Sequence, residues 1–509
     1  MKNIVRNLLL VGTAAFMSVS CDLDLFPDSA IAYDEGGQLI TNSADLTSFE
    51  NGLMASYRGV FYGVYNQASE LMCDGFNAMA GFGNNYGPIH RTDVSFTPSD
   101  YDTRDNWSGN YGAIKNYNVF IKGSYNVPAE LAKDAAVARG EAFFCRASSY
   151  LTLTRLFAKP YGANASTDLS VPLVLVYDQN ARPARNTVQE VYDQIKADLD
   201  SAAVYLAGVP GAVRSQRPTI DAVNALYARY YLDTKQYAQA VTAAKKVIDS
   251  KAGYAFAKDS ASMALEYVED KGTEPIIQMY ASNSENGSGT NSIYTQMTNN
   301  KDAGTYYMPY YLPSQKLLDQ YEESDLRYQH WFAKGDYPVF SVSDYIEDKL
   351  TVFRKYFGNP TLRSDPTATP NARQAVKPLL ISEMYLIAAE ASLANNNAAA
   401  AKEYLNAIQT ARGASATEAT TATVQNEWFK ETVGEGLRMS CLKRWGTGYS
   451  GRAGQNAAVE LKALMNGAEY AQKSMPATDY HWQWPIPAYE MQINSNLKQN
   501  DGYSPVSVD

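Results

Sequence analysis

The chain has 509 residues and a formal net charge of −10, and this acidic balance disfavours nucleic acid as a partner. Apolar residues make up 45% and charged residues 19%, as in an ordinary globular protein of about two or three domains or one large solenoid. Beyond the first twenty residues no apolar run approaches eighteen residues, so the body is not expected to span a membrane.

The first twenty residues have the features of an export signal. Two basic residues precede an apolar run, Leu8 to Met17, that is too short to cross a bilayer. Small residues follow, and Cys21 comes directly after them, which resembles the signal of a bacterial lipoprotein. The sequence therefore predicts a signal peptide at 1–20 and a mature chain of 21–509 that is anchored by acyl chains on Cys21. An ordinary signal peptide with a chance cysteine is the alternative.

Acidic residues follow this cysteine closely, at Asp22, Asp24 and Asp28. They resemble the acidic residues that follow the lipidated cysteine in some Gram-negative lipoproteins of the cell surface. We therefore expect a protein of the outer membrane that faces the cell exterior and contacts the membrane through its lipid anchor only.

Cys73, Cys145 and Cys441 remain, an odd number with no CxxC spacing, so no metal site or disulfide framework is indicated. An export compartment would allow one disulfide and one free thiol. We favour three buried free thiols, because free cysteine is among the most buried residue types.

Apolar residues recur at helical spacing in several segments. Residues 137–162 are predicted to form one long helix, and the following LSVPLVLV, at 169–176, a short extended segment. Residues 187–206 are predicted to form a second helix. It begins with Thr187 as its N-cap, and Glu190 three residues later completes a capping box.

Two later segments resemble tetratricopeptide repeats, in which paired helices form a hairpin. Residues 219–250 contain two helices separated at Asp233–Tyr237, and residues 378–413 contain a second pair with an NNN turn. Each pair approaches the repeat length of about 34 residues. A further single helix is predicted at 424–446.

Helix pairs of this kind bury their apolar stripes on neighbouring pairs and so stack into a superhelix. The predicted fold class is mostly α, a tetratricopeptide-like helical repeat superhelix with long irregular insertions and a few short strands. The repeats are placed at about 137–250 and 378–446 within a single body. The insertions, at about 63–113 and 254–375, are rich in Gly, Asn, Pro and Tyr, and binding is expected there because loops of this length are usually functional.

Both insertions contain aromatic and amide residues close together. NNKDAGTYYMPYYLP, at 299–313, has four tyrosines within six positions, and GFGNNYG, at 81–87, is a second such loop. Sugar rings expose C–H patches on a face and hydroxyls at the rim, which flat aromatics and neighbouring amides or carboxylates can satisfy together. The candidate ligand-binding residues are Phe82, Asn84, Asn85, Tyr86, Asn299, Asn300, Asp302, Tyr306, Tyr307, Tyr310 and Tyr311. The alternative is that these tyrosines pack the insertion onto the helical body.

No catalytic residue, metal site or cofactor is predicted. The three histidines have no metal-ligand spacing, and neither a GxxxxGK loop nor a GxSxG elbow occurs. The acidic run from Asp100 to Asp105 does not continue as a calcium-binding loop, because its fifth position is Arg104. Paired carboxylates for glycoside hydrolysis remain an alternative, since the fold could bring any two acids together. Trp107 and Trp331 are predicted to be packing residues.

Five motifs, in the same order along the chain, resemble the SusD/RagB family of outer-membrane nutrient-binding lipoproteins. They are CDLDLFPDS, GEAFFCRASSYLTLTRLF followed by VPLVL, PLLISEMYLIAAEASL, GEGLRMSCLKRWG and PIPAYEMQINSNLKQNDGY. Members of the family often carry aspartate at the position of Cys441, so a polar contact is expected to be lost there. Ser495 and Asp501 stand where proline is commoner in the family's terminal motif.

The resemblance implies an α-helical body with tetratricopeptide-like repeats that is lipid-anchored outside the cell. It also implies that the protein caps a SusC-like TonB-dependent outer-membrane transporter and captures oligosaccharides or, in one branch, peptides. Lys443, Arg444 and Trp445 resemble a scaffold motif of the family rather than ligand contacts. The predicted function is therefore capture of an oligosaccharide without chemical conversion and its delivery to the transporter. Peptide capture by a lipoprotein of the same type and glycoside hydrolysis are the alternatives.

Overall fold

A computed structural model describes residues 38–61, 64–79, 86–285, 295–300, 304–340, 345–346, 350–355, 357–365, 367, 369–455 and 471–504. The helices are α1 Ser43–Gly59, α2 Val64–Leu71, α3 Gly87–Arg91, α4 Tyr101–Gly123, α5 Ala132–Phe157, α6 Val188–Tyr205, α7 Ile220–Asp233, α8 Tyr237–Ile248, α9 Ser260–Tyr267, α10 Gln315–Leu318, α11 Leu326–Trp331, α12 Ile381–Ala394, α13 Ala398–Ala411, α14 Thr421–Glu431, α15 Arg438–Trp445 and α16 Ala488–Ile493. The strands are β1 Phe76–Ala78, β2 Pro275–Ile277, β3 Thr295–Asn300, β4 Gly304–Pro309, β5 Tyr311–Pro313, β6 Phe332–Lys334, β7 Val339–Phe340, β8 Tyr345–Ile346, β9 Thr351–Phe353 and β10 Leu379–Leu380.

The helices of the repeats pack in chain order. Helix α5 packs between α4 and α6, α7 follows α6, and α7 and α8 form a hairpin. Helix α12 then packs directly on α8, although the whole of the second insertion lies between them in the sequence, and α13 and α14 continue the stack. The predicted fold class, a mostly α-helical protein with tetratricopeptide-like repeats and a few short strands, is confirmed.

Local sequence signals fix the ends of several repeat helices. The side chain of Thr187 accepts a hydrogen bond from the backbone N–H of Glu190, whose Oε2 accepts from the N–H of Thr187 at 2.7 Å. The predicted capping box of α6 is therefore present. Helix α5 passes very close to α6 because it has glycine at residue 140, where a Cβ atom would lie 2.7 Å from the Cβ of Tyr205.

One prediction of secondary structure is wrong. The single helix predicted at 424–446 is two helices, α14 and α15, because Gly434 and Gly436 between them have φ angles of 77° and 73°. These left-handed conformations cannot continue a right-handed helix. The stretch LSVPLVLV forms only one isolated bridge, between Leu169 and Thr187, and no strand.

The first insertion is far more regular than its composition predicts. It contains α2, β1, α3 and the first half of α4, a helix of 23 residues. The full extent of this helix was not predicted, because its buried side carries polar residues, among them Asn106 and Asn110, beside Trp107. Trp107 is 2% exposed and packs edge-to-face on Phe157 at 4.9 Å, as expected of a packing residue.

The strands form small antiparallel pairs and one larger sheet. Strand β1 pairs with β5, β2 with β10 and β6 with β9, all antiparallel. The larger sheet has the order β3-β4-β7-β8, with β4 and β7 parallel. One side of this sheet covers a small hydrophobic core, which we call the insertion core and which consists of Met79, Tyr307, Leu312, Ala333, Val339, Leu350 and Val352.

Charged side chains without access to solvent join the second insertion to the repeats. Arg412, directly after α13, pairs with Glu274 beside β2 and with Glu431 of α14. Arg327 of α11 also pairs with Glu431. The buried charge network, as we call it, consists of Glu274, Asp325, Arg327, Arg412, Glu427 and Glu431, all with side chains at most 1% exposed.

Cys73, Cys145 and Cys441 lie buried as free thiols, in agreement with the favoured interpretation. Cys441 retains a weak polar contact, because its Sγ lies 3.6 Å from Nη2 of Arg444. Trp331 is fully buried, as predicted. In the described part of the chain, no helix combines the length and the apolar character needed to cross a membrane.

Candidate functional site

The strand that precedes the first candidate loop lies beside the tyrosine-rich stretch of the second insertion. Strand β1 leads into the GFGNNYG loop and pairs with β5, with Ala78 opposite Tyr311. The pairing extends by one further hydrogen bond, from the N–H of Met79 to the carbonyl oxygen of Tyr310 at 2.9 Å. The chain therefore enters the first candidate loop immediately beside the tyrosines of the second insertion.

Several predicted residues lie outside the described part of the chain. These are Cys21, Phe82, Asn84, Asn85 and Asp302. Asn300 ends β3, and its backbone pairs with Gly304, but its side chain also lies outside the described part.

Tyr307 and Tyr311 are packing residues. The side chain of Tyr307 is 1% exposed and lies in the insertion core. The side chain of Tyr311 is 0% exposed and lies in the larger hydrophobic core, which we call the main core, with its ring 5.0 Å from the ring of His90. Burial raises the pKa of both phenols, that of Tyr307 to about 12. Neither ring is accessible to a ligand. These two tyrosines therefore pack within the protein, which was the alternative interpretation of the tyrosine-rich stretch.

The other face of the larger sheet is more open. Because side chains alternate along a strand, Tyr306 points away from Tyr307. The ring of Tyr306 is 8% exposed and lies 5.2 Å from the ring of Phe340 in β7. We call this the outer sheet face and define it by Thr298, Tyr306, Met308 and Phe340, of which all but Tyr306 are half-buried.

Near the end of β3 and the start of β4, polar side chains lie on the same side of the sheet as Tyr307, because Asn299 pairs with Thr305 one position from the Thr298–Tyr306 pair. The side chain of Asn299 is exposed, and its Oδ1 accepts a hydrogen bond from Oγ1 of Thr305 at 2.6 Å. Tyr310, half-buried, packs against both the main core and the insertion core. Among the described candidates, the side chain of Asn299 is thus exposed and that of Tyr310 half-buried, whereas Tyr306 is buried.

Sequence reasoning missed two aromatic residues of this region, Tyr337 and Phe340. Tyr337 precedes β7, is 38% exposed and contacts the ring of Tyr307 edge-on at 5.5 Å. Both residues belong to KGDYPVF, at 334–340, whose aromatic residues after a glycine turn carried the same signal as the tyrosine-rich stretch. The signal was weaker because the two aromatics are not adjacent.

Tyr86, the sixth residue of GFGNNYG, directly precedes α3. It has a φ angle of 65° and is 7% exposed. Burial first, and then the charge of Asp102, raises the pKa of its phenol. Tyr86 therefore lies close to the start of α4, where Tyr101 is 53% exposed.

The start of α4 carries an unusual buried acid. Asp100 caps the helix by accepting a hydrogen bond from the N–H of Thr103 at 2.8 Å, whereas Oδ2 of Asp102 is buried without a hydrogen-bond partner. Burial, followed by the nearby charges of Asp100 and Asp105, raises the pKa of Asp102 to about 8. Among the described residues, no group of His, Cys, Asp or Glu side chains could hold a metal ion.

Substitution of Asp102 by asparagine should stabilise the protein only at high pH. The carboxyl holds its proton in the folded state up to about pH 8 but loses it near pH 4 in the unfolded chain, so wild-type stability falls between these values. We expect Asp102→Asn to raise the free energy of unfolding at about pH 9 by on the order of a few kcal/mol, and little at about pH 4. Urea unfolding at both pH values measures this. The exposed Asp249→Asn is the control, and an equal effect of Asp102→Asn at both pH values would contradict the assignment.

The two most distinctive family-like motifs serve the scaffold. Nζ of Lys443 donates to the carbonyl oxygens of Arg155 and Ala158, and Arg444 forms a bidentate pair with Glu390. In the terminal motif, Nδ2 of Asn500 donates to the carbonyl oxygens of Phe157 and Trp484 at 2.8 and 2.7 Å. These side chains tie α15 and the C-terminal segment to the end of α5 and leave the outer sheet face free.

Comparison with protein families gives two matches. Residues 23–232 match the SusD-like family described as "Starch-binding associating with outer membrane", and residues 352–503 match the SusD family. The two matches together cover more than two thirds of the chain. No curated protein sequence matches it.

Solved structures share the fold over nearly the whole chain. A putative sugar binding protein from Bacteroides vulgatus is 22% identical with a TM-score of 0.73, over 92% of this chain and 100% of that chain. A SusD superfamily protein from Bacteroides thetaiotaomicron is 24% identical with a TM-score of 0.72, over 90% and 99%. A laminarin binding SusD-like protein is 20% identical with a TM-score of 0.69, over 91% and 100%.

At such identities these structures establish a common fold. The family matches add two separate regions of sequence, one over the first repeats and one over the last repeats and the terminal motif. Motif order, fold and family matches agree, and the chain belongs to the SusD/RagB family.

Proposed function

We propose that this protein is a cell-surface lipoprotein that captures an oligosaccharide without converting it and delivers it to a SusC-like TonB-dependent transporter. In this proposal residues 1–20 are a signal peptide, and residues 21–509 form the mature body, held at the outer membrane through Cys21. Membership of the SusD/RagB family supports the location, the partner and a binding rather than catalytic role. The description of one family as starch-binding and the laminarin-binding relative in fold favour a glycan over a peptide.

The observation that carries the binding site is the pairing of β1 with β5. It sets Ala78 and Met79, which precede the glycine- and asparagine-rich loop in the sequence, beside Tyr311 and Tyr310, which directly follow β4. Phe340 offers aromatic surface on the outer sheet face, whereas Tyr337 and the exposed amide of Asn299 lie on the side of Tyr307. Aromatic surface for the C–H face of a sugar and amides for its hydroxyls is the combination that oligosaccharide binding requires.

Truncation of Phe340 tests the site. If its ring stacks on a sugar, Phe340→Ala should weaken oligosaccharide binding by roughly 1 to 3 kcal/mol, the usual range for an aromatic contact of this kind. Calorimetric titration with laminarin-derived and starch-derived oligosaccharides measures the loss. The control is Tyr489→Ala, which removes an exposed ring of α16.

Three results would count against the proposal. Equal affinities of the Phe340→Ala and Tyr489→Ala variants would remove the outer sheet face from the site. Binding of extended peptides and of no oligosaccharide would favour the peptide-binding alternative, and release of shorter sugars from the oligosaccharides would favour the hydrolase.

The anchor is tested separately. Cys21→Ala should abolish incorporation of a labelled fatty acid and release the protein from membranes, because the thiol is the proposed acylation site. Detergent extraction of the wild type under mild conditions should also co-purify a large β-barrel transporter. Label that persists in the variant would reject Cys21, and repeated isolation of a lone wild-type monomer would count against the transporter.

A further inference from the structure

A cavity of about 170 Å³ lies inside the molecule, away from the outer sheet face. It forms where the two residues directly after α1, helix α2, the C-terminal half of α5, the segment 372–380 and the connection between α14 and α15 meet. None of the four residues that define the outer sheet face is among its lining residues. Most side chains around it are half-buried, so the cavity communicates with solvent.

Its walls combine apolar surface with hydrogen-bonding groups. The apolar part includes the aromatic rings of Phe61 and Tyr267 and the side chains of Leu156 and Met439. Amides and hydroxyls stand among them, on Asn66, Thr152, Gln374 and Ser440. An apolar wall with a few polar groups is the usual composition of a small-molecule site.

The charged side chains of the lining are matched by ion pairs. The pairs are Arg155 with Asp233 at 2.7 Å, Arg229 with Glu383 at 2.6 Å, Lys377 with Glu266 at 3.0 Å and Glu435 with Lys355 at 2.7 Å. An anionic or cationic ligand would have to compete with these pairs for its counter-charge. The electrostatics therefore favour an uncharged ligand.

Two acceptors of the lining have no donor. Oδ1 of Asn66 and Oε1 of Gln374 are buried and accept no hydrogen bond, although the amide nitrogen of Gln374 donates to the carbonyl oxygen of Tyr267. A buried acceptor is unfavourable until a donor reaches it. The ligand should consequently carry hydroxyl groups that can donate.

We propose that this cavity binds one uncharged monosaccharide. Its volume corresponds to about five or six water molecules at about 30 Å³ each, which is the scale of a single sugar ring and not of a longer chain. The apolar wall receives a C–H face of the ring, and the unpaired acceptors of Asn66 and Gln374 receive two of its hydroxyls. Binding here does not require the outer sheet face to bind a glycan, because the two regions share no defining residue.

Saturation-transfer NMR with glucose, galactose and mannose, each at millimolar concentration, tests the cavity. At least one of them should bind the full-length mature protein. Thr152→Phe, which fills the cavity from α5, should abolish the signal, and Gln374→Leu, which removes one acceptor, should weaken binding about tenfold. Phe340→Ala on the outer sheet face should leave monosaccharide binding unchanged.

Thermal unfolding of each variant shows whether it folds, and Gln374→Leu remains informative if Thr152→Phe does not. A crystal soaked with the best-binding sugar should show a sugar ring between Asn66 and Gln374. Ordered water alone in the cavity would overturn the proposal, as would the absence of binding by all three sugars or equal binding by the wild type and the folded cavity variants. Loss of binding on Phe340→Ala would assign the monosaccharide to the outer sheet face instead.

Discussion

Replacement of Arg412 by methionine should destabilise the protein by about 3 to 5 kcal/mol, because it leaves buried carboxylates without their counter-charge. The guanidinium of Arg412 is 0% exposed and contacts both oxygens of Glu274, at 2.7 and 2.8 Å, and Oε1 of Glu431. Methionine can fill much of the space but cannot pair either acid. Urea unfolding of the mature protein measures the loss.

The control removes an ion pair at the surface. Lys245 and Asp249 lie 2.7 Å apart on one face of α8, and both side chains are 56% exposed. Lys245→Met should therefore change the free energy of unfolding by no more than about 1 kcal/mol. A loss on Arg412→Met as small as the loss in this control would show that water or a relaxed side chain compensates the buried acids.

The same network predicts a direction for acid unfolding. Burial alone would raise the pKa of Glu431, but Arg412 and Arg327 outweigh it and hold this pKa well below its usual value. An acid whose pKa is lower in the folded than in the unfolded state stabilises the protein at pH values above its pKa in the unfolded state. This stabilisation is lost as the pH falls towards the pKa of the acid in the folded state. Arg412→Met should thus make stability depend less steeply on pH below about pH 4.5.

Little of this network could be read from the sequence. Glu427 and Glu431 are four residues apart, with Lys430 between them, a pattern that is typical of a solvated helix face. They are buried because the second insertion brings Arg327 against α14, about a hundred residues away in sequence. Local spacing carries no information about a partner supplied by a distant segment.

The repeat helices were predictable for the opposite reason. The capping box at Thr187 and the turn after Asp233 involve residues within one or two turns of each other, so the amino-acid pattern determines them directly. Helix α4 shows the limit of prediction from local sequence patterns. Its buried side carries asparagine and aspartate beside apolar residues, and a polar buried face looks like an exposed face in a hydrophobicity pattern.

The candidate site was predictable as composition but not as geometry. The four tyrosines at 306–311 mark the candidate part of the insertion, and the pairing of β1 with β5 brings the residues before the first candidate loop beside it. The sequence could not show towards which face each of the four tyrosines points, because the direction of a side chain depends on the strand that contains it. In β4 the neighbours Tyr306 and Tyr307 point to opposite faces, one towards Phe340 and one into the insertion core.

The second large loss of stability is expected for substitution of Tyr307, because its side chain points into the insertion core. Tyr307→Ala should destabilise the protein by about 3 to 5 kcal/mol, because it removes a ring that is 1% exposed and leaves a cavity among Met79, Leu312 and Val339. Tyr307→Phe keeps the ring and should retain most of that stability. Calorimetric unfolding without ligand measures both.

Tyr337 is the matched control, because its ring contacts that of Tyr307 at 5.5 Å and yet is 38% exposed. Tyr337→Ala opens no closed cavity and should cost less than about 1 kcal/mol, in the range of ordinary surface substitutions. Oligosaccharide affinity is measured on the same variants at a temperature at which all are folded. Unchanged unfolding of Tyr307→Ala combined with reduced affinity would identify Tyr307 as a ligand contact and contradict its place in the insertion core. If Tyr307 is a buried packing residue, Tyr307→Ala should lower the stability of the protein while the folded fraction retains its affinity for the oligosaccharide.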